Sequence, residues 1–206
     1  MFTGLITTKA VVNSFVNNTI NIKANIDTKI GDSIAINGVC LTVTALFKDG
    51  FEVKVSQESL ENIAVENFKG MVHIEQAMRL SDRLDGHIVQ GHIDCIGVIK
   101  EIKKVGTSRD FYIKIPKNKI KFLSKKGSIA VDGISLTIND IDKNSGIFRL
   151  TIILHTFENT KFATYKIGER VNIETDMFAR YIYSLLENKD ESKLTWQNVE
   201  NILSRY

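Results

Sequence analysis

The sequence predicts a mainly β protein: two tandem copies of one small closed barrel, then a C-terminal helix. Three observations lead there. Residues Ser33 to Val43 read SIAINGVCLTV and Ser128 to Ile138 read SIAVDGISLTI, six of eleven positions being identical and the rest conservative pairs. Apolar and polar residues alternate with period two through both copies, as half-buried strands require. Beyond residue 176 the period changes to that of a helix.

The strands follow from the alternation. In the first copy it runs through Gly4–Phe15, Thr19–Ile26, Val39–Leu46 and Phe51–Ser56, and in the second through Ile93–Ile102, Phe111–Ile115, Ile134–Ile141 and Ile147–Ile153. Asn37-Gly38 and Asp132-Gly133 fall at the same repeat position, and each dipeptide suits a hairpin whose two central residues take positive φ. Many short strands with close-set turns predict a closed barrel in each copy. The repeat continues with Glu58–Asn62 against His155–Asn159, and with Val72–Glu75 against Val171–Glu174. A fainter match pairs the N-terminus with Gly91 to Ile102. The division expected is barrel one over 1–90, barrel two over 91–176 and a helical segment over 177–206. Met177, Phe178, Tyr181, Ile182, Leu185 and Leu186 form one helical stripe, with Thr175 or Asp176 as N-cap. Such a stripe is either laid on a barrel or used for assembly. A second short helix is expected over Trp196–Leu203.

Composition narrows the function. The chain has 206 residues, 43% hydrophobic and 25% charged, which is ordinary for a soluble globular protein and unlike a disordered or fibrous one. A formal charge of +3 is too small to make nucleic acid or an anionic membrane the main partner. No apolar run approaches the roughly 18 residues needed to span a bilayer. The first residues lack the basic and apolar regions of a signal peptide, and two cysteines make no disulfide framework. A reduced, cytoplasmic protein is expected. The lysines 114, 117, 119, 121, 125 and 126 read as a solvated surface, because only Phe122 accompanies them as an aromatic. No glycine loop for phosphate, dinucleotide fingerprint or nucleophile elbow occurs.

The alternation also singles out candidate site residues. Val39, Leu41 and Val43 share the core face, while Cys40, Thr42 and Thr44 share the other. A lone strand cysteine is by default a small buried hydrophobe, but this pattern puts Cys40 outside the core. In the second copy Ser135, Thr137 and Asn139 stand opposite Ile134, Leu136 and Ile138. Two related polar strips imply two related ligand surfaces, whose chemistry differs where the copies differ. Cys40 becomes Ser135, Ala77 becomes Asp176, and Phe2 is paired with His92. For Asp176, helix capping and a functional role are compatible. His87, His92 and Cys95 match no tight zinc spacing, and alternation puts His92 and Cys95 on opposite faces, so no metal is expected.

Four motifs together carry a resemblance: Met1–Ile6, Asn37–Val43, Gly86–Asp94 and Gly127–Thr137. In order and spacing, from residue 1 to about 188, the chain resembles riboflavin synthase, the family built from two lumazine-binding repeats. It departs from the family pattern at Asp85, where the first of two glycines is usual, and at Thr160-Lys161-Phe162, where a pair of threonines is usual. The resemblance implies two six-stranded antiparallel Greek-key barrels and a C-terminal helix joining three chains into a homotrimer. It implies dismutation of two molecules of 6,7-dimethyl-8-ribityllumazine into riboflavin and 5-amino-6-ribitylamino-uracil, without metal or redox cofactor. The site would lie between the N-terminal barrel of one chain and the C-terminal barrel of the next. The matching positions Cys40, Ser135, Thr42, Thr137, Phe2, His92 and Asp176 would line the reaction centre, with Ser135, Asp176 and His92 serving one lumazine and Cys40 and Thr42 the other. Substrate contacts would come from Gly4, Leu5 and Ile6; from Leu41, Lys54, Val55, Ser56, Gln57, Glu58 and Ser59; and from Gly91 and Ile93. In the second copy they would come from Lys126, Leu136, Ile152, Ile153, Leu154, His155, Thr156 and Phe157. Docking with lumazine synthase, which makes the substrate, is left open. The rival reading is a non-catalytic lumazine or flavin carrier with the same repeats, which would be expected to lose one pocket. A third, a tandem barrel module for single-stranded nucleic acid, lacks the charge and aromatics it would need.

Overall fold

The computed structural model describes residues 1–6 and 8–187. In the first copy, β1 (Thr8–Val16), β2 (Thr19–Lys23), β3 (Ser33–Ile36), β4 (Val39–Phe47), β5 (Gly50–Lys54) and β6 (Gly70–Gln76) close in the order β1-β2-β5-β4-β3-β6. The second copy repeats this with β7 (Cys95–Val105), β8 (Ser108–Lys114), β9 (Ser128–Val131), β10 (Ile134–Asp142), β11 (Ile147–Ile152) and β12 (Arg170–Thr175). All pairings are antiparallel. A single helical turn follows β5 and β11, as α1 (Gln57–Asn62) and α2 (Leu154–Asn159), and α3 (Met177–Glu187) follows β12. Register shifts at Val12/Ser14 and Val43/Ala45 recur at Ile99/Glu101 and Ile138/Asp140, so the bulges that bend each sheet into closure are duplicated too.

Each barrel has its own core, around Phe51 in the first and around Phe111, Phe148 and Phe162 in the second. Strands with one wet face were legible from alternation: Val39, Leu41 and Val43 of β4 are buried while Thr42 is exposed. Strands β3, β6, β9 and β12 were not read as such, because both of their faces are covered. Ile34 and Ile36 fill the first barrel while Ala35, between them, packs outward against Phe2, Val89 and Ala130. Covering the second face removes the polar half of the signal.

The outward faces of these strands meet on a pseudo-twofold axis between the barrels. There the two predicted hairpin turns touch. A Cβ on Gly38 (φ +81°) would lie 2.5 Å from the Gly133 nitrogen, and one on Gly133 (φ +82°) would lie 2.8 Å from the Gly38 nitrogen. Around them runs a buried polar network. Asn37 Oδ1 accepts the His73 N–H at 3.0 Å, and Asp132 Oδ1 accepts the Asn172 N–H at 2.7 Å. Asn172 Nδ2 donates to the Asn37 carbonyl at 2.9 Å, and its Oδ1 accepts the Ala64 N–H at 2.7 Å. His73 Nδ1 lies 3.2 Å from the Asp132 carbonyl and Nε2 accepts the Lys161 N–H at 2.8 Å. A carbonyl only accepts and an amide only donates, so the neutral Nδ1–H tautomer is the one satisfied. Burial, aided by the Lys161 charge, lowers the His73 pKa to about 3, whereas burial raises that of Asp132 to about 6.

Asp176 is the cap of α3, its Oδ1 accepting the Phe178 N–H at 2.8 Å. The predicted apolar stripe is left largely uncovered by the barrel: Phe178, Tyr181, Ile182, Leu185 and Leu186 are each more than half exposed. What rests on the barrel is Tyr183, edge-on to Phe122 with ring centroids 5.4 Å apart. The predicted helix over Trp196–Leu203 lies outside the described residues.

Candidate active site

On β4 Cys40 is half-buried and Thr42 exposed; on β10 Ser135 is half-buried and Thr137 exposed. Val43 pairs with Val53 of β5, which brings Lys54 level with Thr42 before the chain enters Val55, Ser56 and α1. Ser56 Oγ accepts the Ser59 N–H at 3.0 Å and so caps the turn carrying Gln57, Glu58 and Ser59. In the second barrel Ile138 pairs with Leu150 of β11, and the chain passes through Ile152 and Ile153 into α2 with Leu154, His155, Thr156 and Phe157. Lys126, at φ +69°, is exposed and donates its N–H to the Ile138 carbonyl at 2.8 Å, which keeps it beside the polar strip.

The stretches before β1 and β7 correct an expectation. Gly4–Ile6 and Gly91–Ile93 lie outside the strands of their own barrel, which the second segment rejoins at Asp94, whose N–H donates to the Ile173 carbonyl of β12 at 2.8 Å. Instead the two segments cross at the pseudo-axis, where Phe2 and Val89 exchange backbone hydrogen bonds of 2.7 and 3.0 Å. Gly4 (φ +75°) and Gly91 (φ +81°) then turn each segment onto the opposite barrel. A Cβ on Gly4 would be 2.6 Å from Ser135 Cβ, and one on Gly91 would be 2.5 Å from Cys40 Cβ, so only glycine fits at either place. Ser135 N–H donates to the Gly4 carbonyl at 2.8 Å, and Cys40 N–H to the Gly91 carbonyl at 2.9 Å. Ile6 packs against the second core and Ile93 against the first. One pocket edge therefore combines Cys40 and Thr42 with Gly91, His92 and Ile93. The other combines Ser135, Leu136 and Thr137 with Gly4, Leu5 and Ile6.

This crossing corrects the pairing of Phe2 with His92. Phe2 corresponds to Val89, not His92, and Leu5 corresponds to His92. Phe2 is fully buried between the barrels, with Cys40 against the same cluster. His92 is exposed and stands on the Cys40 side within one chain, whereas Ser135 has another partner. His87 Nδ1 lies 2.7 Å from Ser135 Oγ. Burial lowers the His87 pKa, and the negative charge of Asp176 works against that shift. Its Nε2 is buried without a protein partner among the described residues. Gly86 makes this approach feasible, since a Cβ there would lie 2.0 Å from the Thr3 carbonyl oxygen.

Two carboxylates hold the crossing segments. Glu75 Oε1 accepts the Thr3 N–H at 2.6 Å and the Thr3 hydroxyl at 2.7 Å, while Oε2 accepts the Gly4 N–H at 3.0 Å. Glu174 accepts the N–H groups of Gln90 (2.7 Å), Gly91 (2.8 Å) and His92 (3.2 Å). Arg180 of α3 adds a bond to Gln90 Oε1 at 2.6 Å and an ion pair with Asp94. A cavity of about 760 Å³ opens beside Asp27, Thr28, Gln76 and Arg79 and touches none of Cys40, Thr42, Ser135 or Thr137. A smaller one of about 380 Å³ lies under α3 between Ser128, Asp176 and Tyr183. Among the described residues no group of three or more His, Cys, Asp or Glu side chains is placed to hold a metal ion.

The lumazine binding domain family matches the chain twice, over residues 3–77 and 90–176. Riboflavin synthase of Photobacterium phosphoreum is 44% identical over 170 residues, which cover 81% of this chain and 77% of that one. Riboflavin synthase of Photobacterium leiognathi is 41% identical over 196 residues, covering 94% and 88%. The chain belongs to the riboflavin synthase family. A solved structure of LumP complexed with 6,7-dimethyl-8-(1'-D-ribityl) lumazine shares the fold, with a TM-score of 0.74 at 21% identity over 85% of this chain and 99% of that one. Among the residues of this riboflavin synthase relative that sequence reasoning did not place in the site are His87, Glu75, Glu174 and Arg180. The signal for the two glutamates was present, because Val72–Glu75 and Val171–Glu174 repeat one another. His87 lies in the Gly86–Asp94 motif, but its spacing to His92 and Cys95 carries no sign of the contact with Ser135.

Proposed function

We propose that the chain catalyses the dismutation of 6,7-dimethyl-8-ribityllumazine: one molecule gives up a four-carbon unit to the other, yielding riboflavin and 5-amino-6-ribitylamino-uracil. Electrons balance between the two identical substrates, so no external oxidant or reductant enters. The observation that carries the reading is the duplicated pocket edge, with a glycine carbonyl on the Cys40 amide in one barrel and another on the Ser135 amide in the other. A reaction consuming two copies of one compound suits two copies of one pocket, and holding both raises their effective concentration.

Within one chain the two edges are set apart. Gly4 and Gly91 each lie two residues past the Phe2–Val89 pair, in opposite directions, hence roughly 13 Å apart at about 3.3 Å per residue. Stacked rings need centroids within about 7 Å. This separation supports a reaction centre built between chains, the Cys40 pocket of one against the Ser135 pocket of the next, in a cytoplasmic homotrimer. The exposed apolar face of α3 supports this assembly.

In this scheme Ser135 and His87 serve one lumazine. Loss of a proton from its C7 methyl group needs a base, and His87, held neutral by burial, is hydrogen-bonded to the Ser135 hydroxyl. Asp176 then favours the imidazolium. Thr137, Lys126 and the backbone edges donate to the anion that forms. Cys40, Thr42 and His92 contact the other lumazine, and Phe2 supports both edges from below. Incubation with 6,7-dimethyl-8-ribityllumazine alone, followed by absorbance and fluorescence, tests the proposal. Riboflavin forming at half the rate of substrate loss is expected. Tight binding without riboflavin would make the chain a carrier instead.

A further inference from the structure

Two glutamates, Glu174 buried and Glu75 half-buried, sit on the opposite barrel from the pocket they serve. Glu75 belongs to β6 of the first barrel, yet the segment it holds, Thr3-Gly4, ends on the Ser135 amide of the second. Glu174 belongs to β12 of the second barrel, yet the segment it holds, Gln90–His92, ends on the Cys40 amide of the first. The segments have no ladder of their own: of Phe2–Ile6, Phe2 alone is in a bridge. Beyond the Phe2–Val89 pair, the His87 N–H on the Thr3 carbonyl and Arg180 on Gln90, what holds Gly4 and Gly91 themselves is the carboxylate on one side and a single amide on the other.

We propose that Glu75 and Glu174 are positioning residues wired across the pseudo-axis, Glu75 setting the edge of the Ser135 pocket and Glu174 the edge of the Cys40 pocket. Each repeat thus builds half of its neighbour's substrate site, and neither barrel alone carries a complete one. The assignment of these edges as substrate sites rests on the lumazine reading above, but the wiring itself does not. An isosteric Gln retains one acceptor oxygen and turns an N–H toward backbone N–H groups, so it releases the segment without opening a cavity.

The test uses the full chain and its Glu75→Gln and Glu174→Gln variants, followed by amide hydrogen exchange at residues 40 and 135. Glu75→Gln should speed exchange at Ser135 by about tenfold, the worth of one lost backbone hydrogen bond, and leave Cys40 unchanged. Glu174→Gln should do the reverse. It should also speed labelling of the Cys40 thiol by a disulfide reagent, a readout that buried Cys95 does not contaminate. Equal acceleration of both amides by both variants, or an effect confined to the variant's own barrel, would overturn the proposal. If a glutamine variant fails to fold, Thr3→Val removes the hydroxyl bond to Glu75 and the one the hydroxyl accepts from the Leu5 N–H in the same segment, and leaves the carboxylate in place. It should still raise exchange at Ser135 and not at Cys40, and no difference between the two would count against the wiring. With lumazine, both glutamine variants should raise KM more than they lower kcat. A wild-type chain that makes no riboflavin would refute the reaction and leave the exchange result to judge the wiring.

Discussion

His73→Gln isolates the energetics of the joint between the barrels. In the native chain His73 donates through Nδ1 and accepts through Nε2, and a glutamine amide also offers a donor and an acceptor, with one N–H to spare and no titratable proton. Native His73 is pushed from 6.5 to about 3, so it is neutral in the fold and protonated in the unfolded chain once the pH drops below 6.5. Stability is thus lost as pH falls from 6.5 toward 3, at close to 1.36 kcal/mol per unit, or about 2 kcal/mol by pH 5. Asp132 works the other way. Its pKa is raised from 3.8 to about 6, so the fold gains stability as pH falls from 6 toward 4, to a limit of about 3 kcal/mol. In the native protein the two slopes oppose each other and the region between pH 6 and 4 is nearly flat. The glutamine variant keeps only the Asp132 slope. It should be less stable than wild type by about 1–2 kcal/mol at pH 7, from imperfect fit, and should equal or exceed wild type at pH 5. Urea unfolding at pH 7, 6 and 5 measures the difference. A variant-to-wild-type gap that does not change with pH would refute the neutral, doubly bonded state assigned to His73.

Other outcomes follow from the site and its supports. His87→Gln should lower kcat by about 10²–10³ with little change in KM, and adding it to Ser135→Ala should cost little more; full additivity in steady-state assays would separate the two residues. Ile182→Asp on the exposed face of α3 should give monomers of low activity by sedimentation and riboflavin assay, and a fully active monomer would sink the interchain site. Gly38→Ala should cost about 2–4 kcal/mol in urea unfolding, through its positive φ and a Cβ placed 2.5 Å from the Gly133 nitrogen. An alanine variant as stable as wild type would contradict that packing.

Much of the scaffold was legible. Alternation placed β4 and β10 and assigned Cys40, Thr42, Ser135 and Thr137 to the face away from the core, because each of these strands has one wet side. The stripe of α3 and its Asp176 cap were equally readable. Strands β3 and β9 were not, since Ala35 and Ala130 are covered by the other barrel and interrupt no pattern. The partnership of His87 with Ser135 was hidden for another reason. The residues are 48 positions apart and meet only because the segment carrying His87 crosses the pseudo-axis.

By itself the sequence determined the duplication, the barrel in each copy, the paired polar strips and the family. These are local or repeated features, written in periods of two and 3.6 and in turn residues. Which segment completes which pocket was decided by tertiary structure alone. A glycine at positive φ permits a chain to leave its barrel but does not say where it goes. The destination is set by the Phe2–Val89 pairing and by two carboxylates whose main partners are backbone amides, and backbone amides carry no sequence signature.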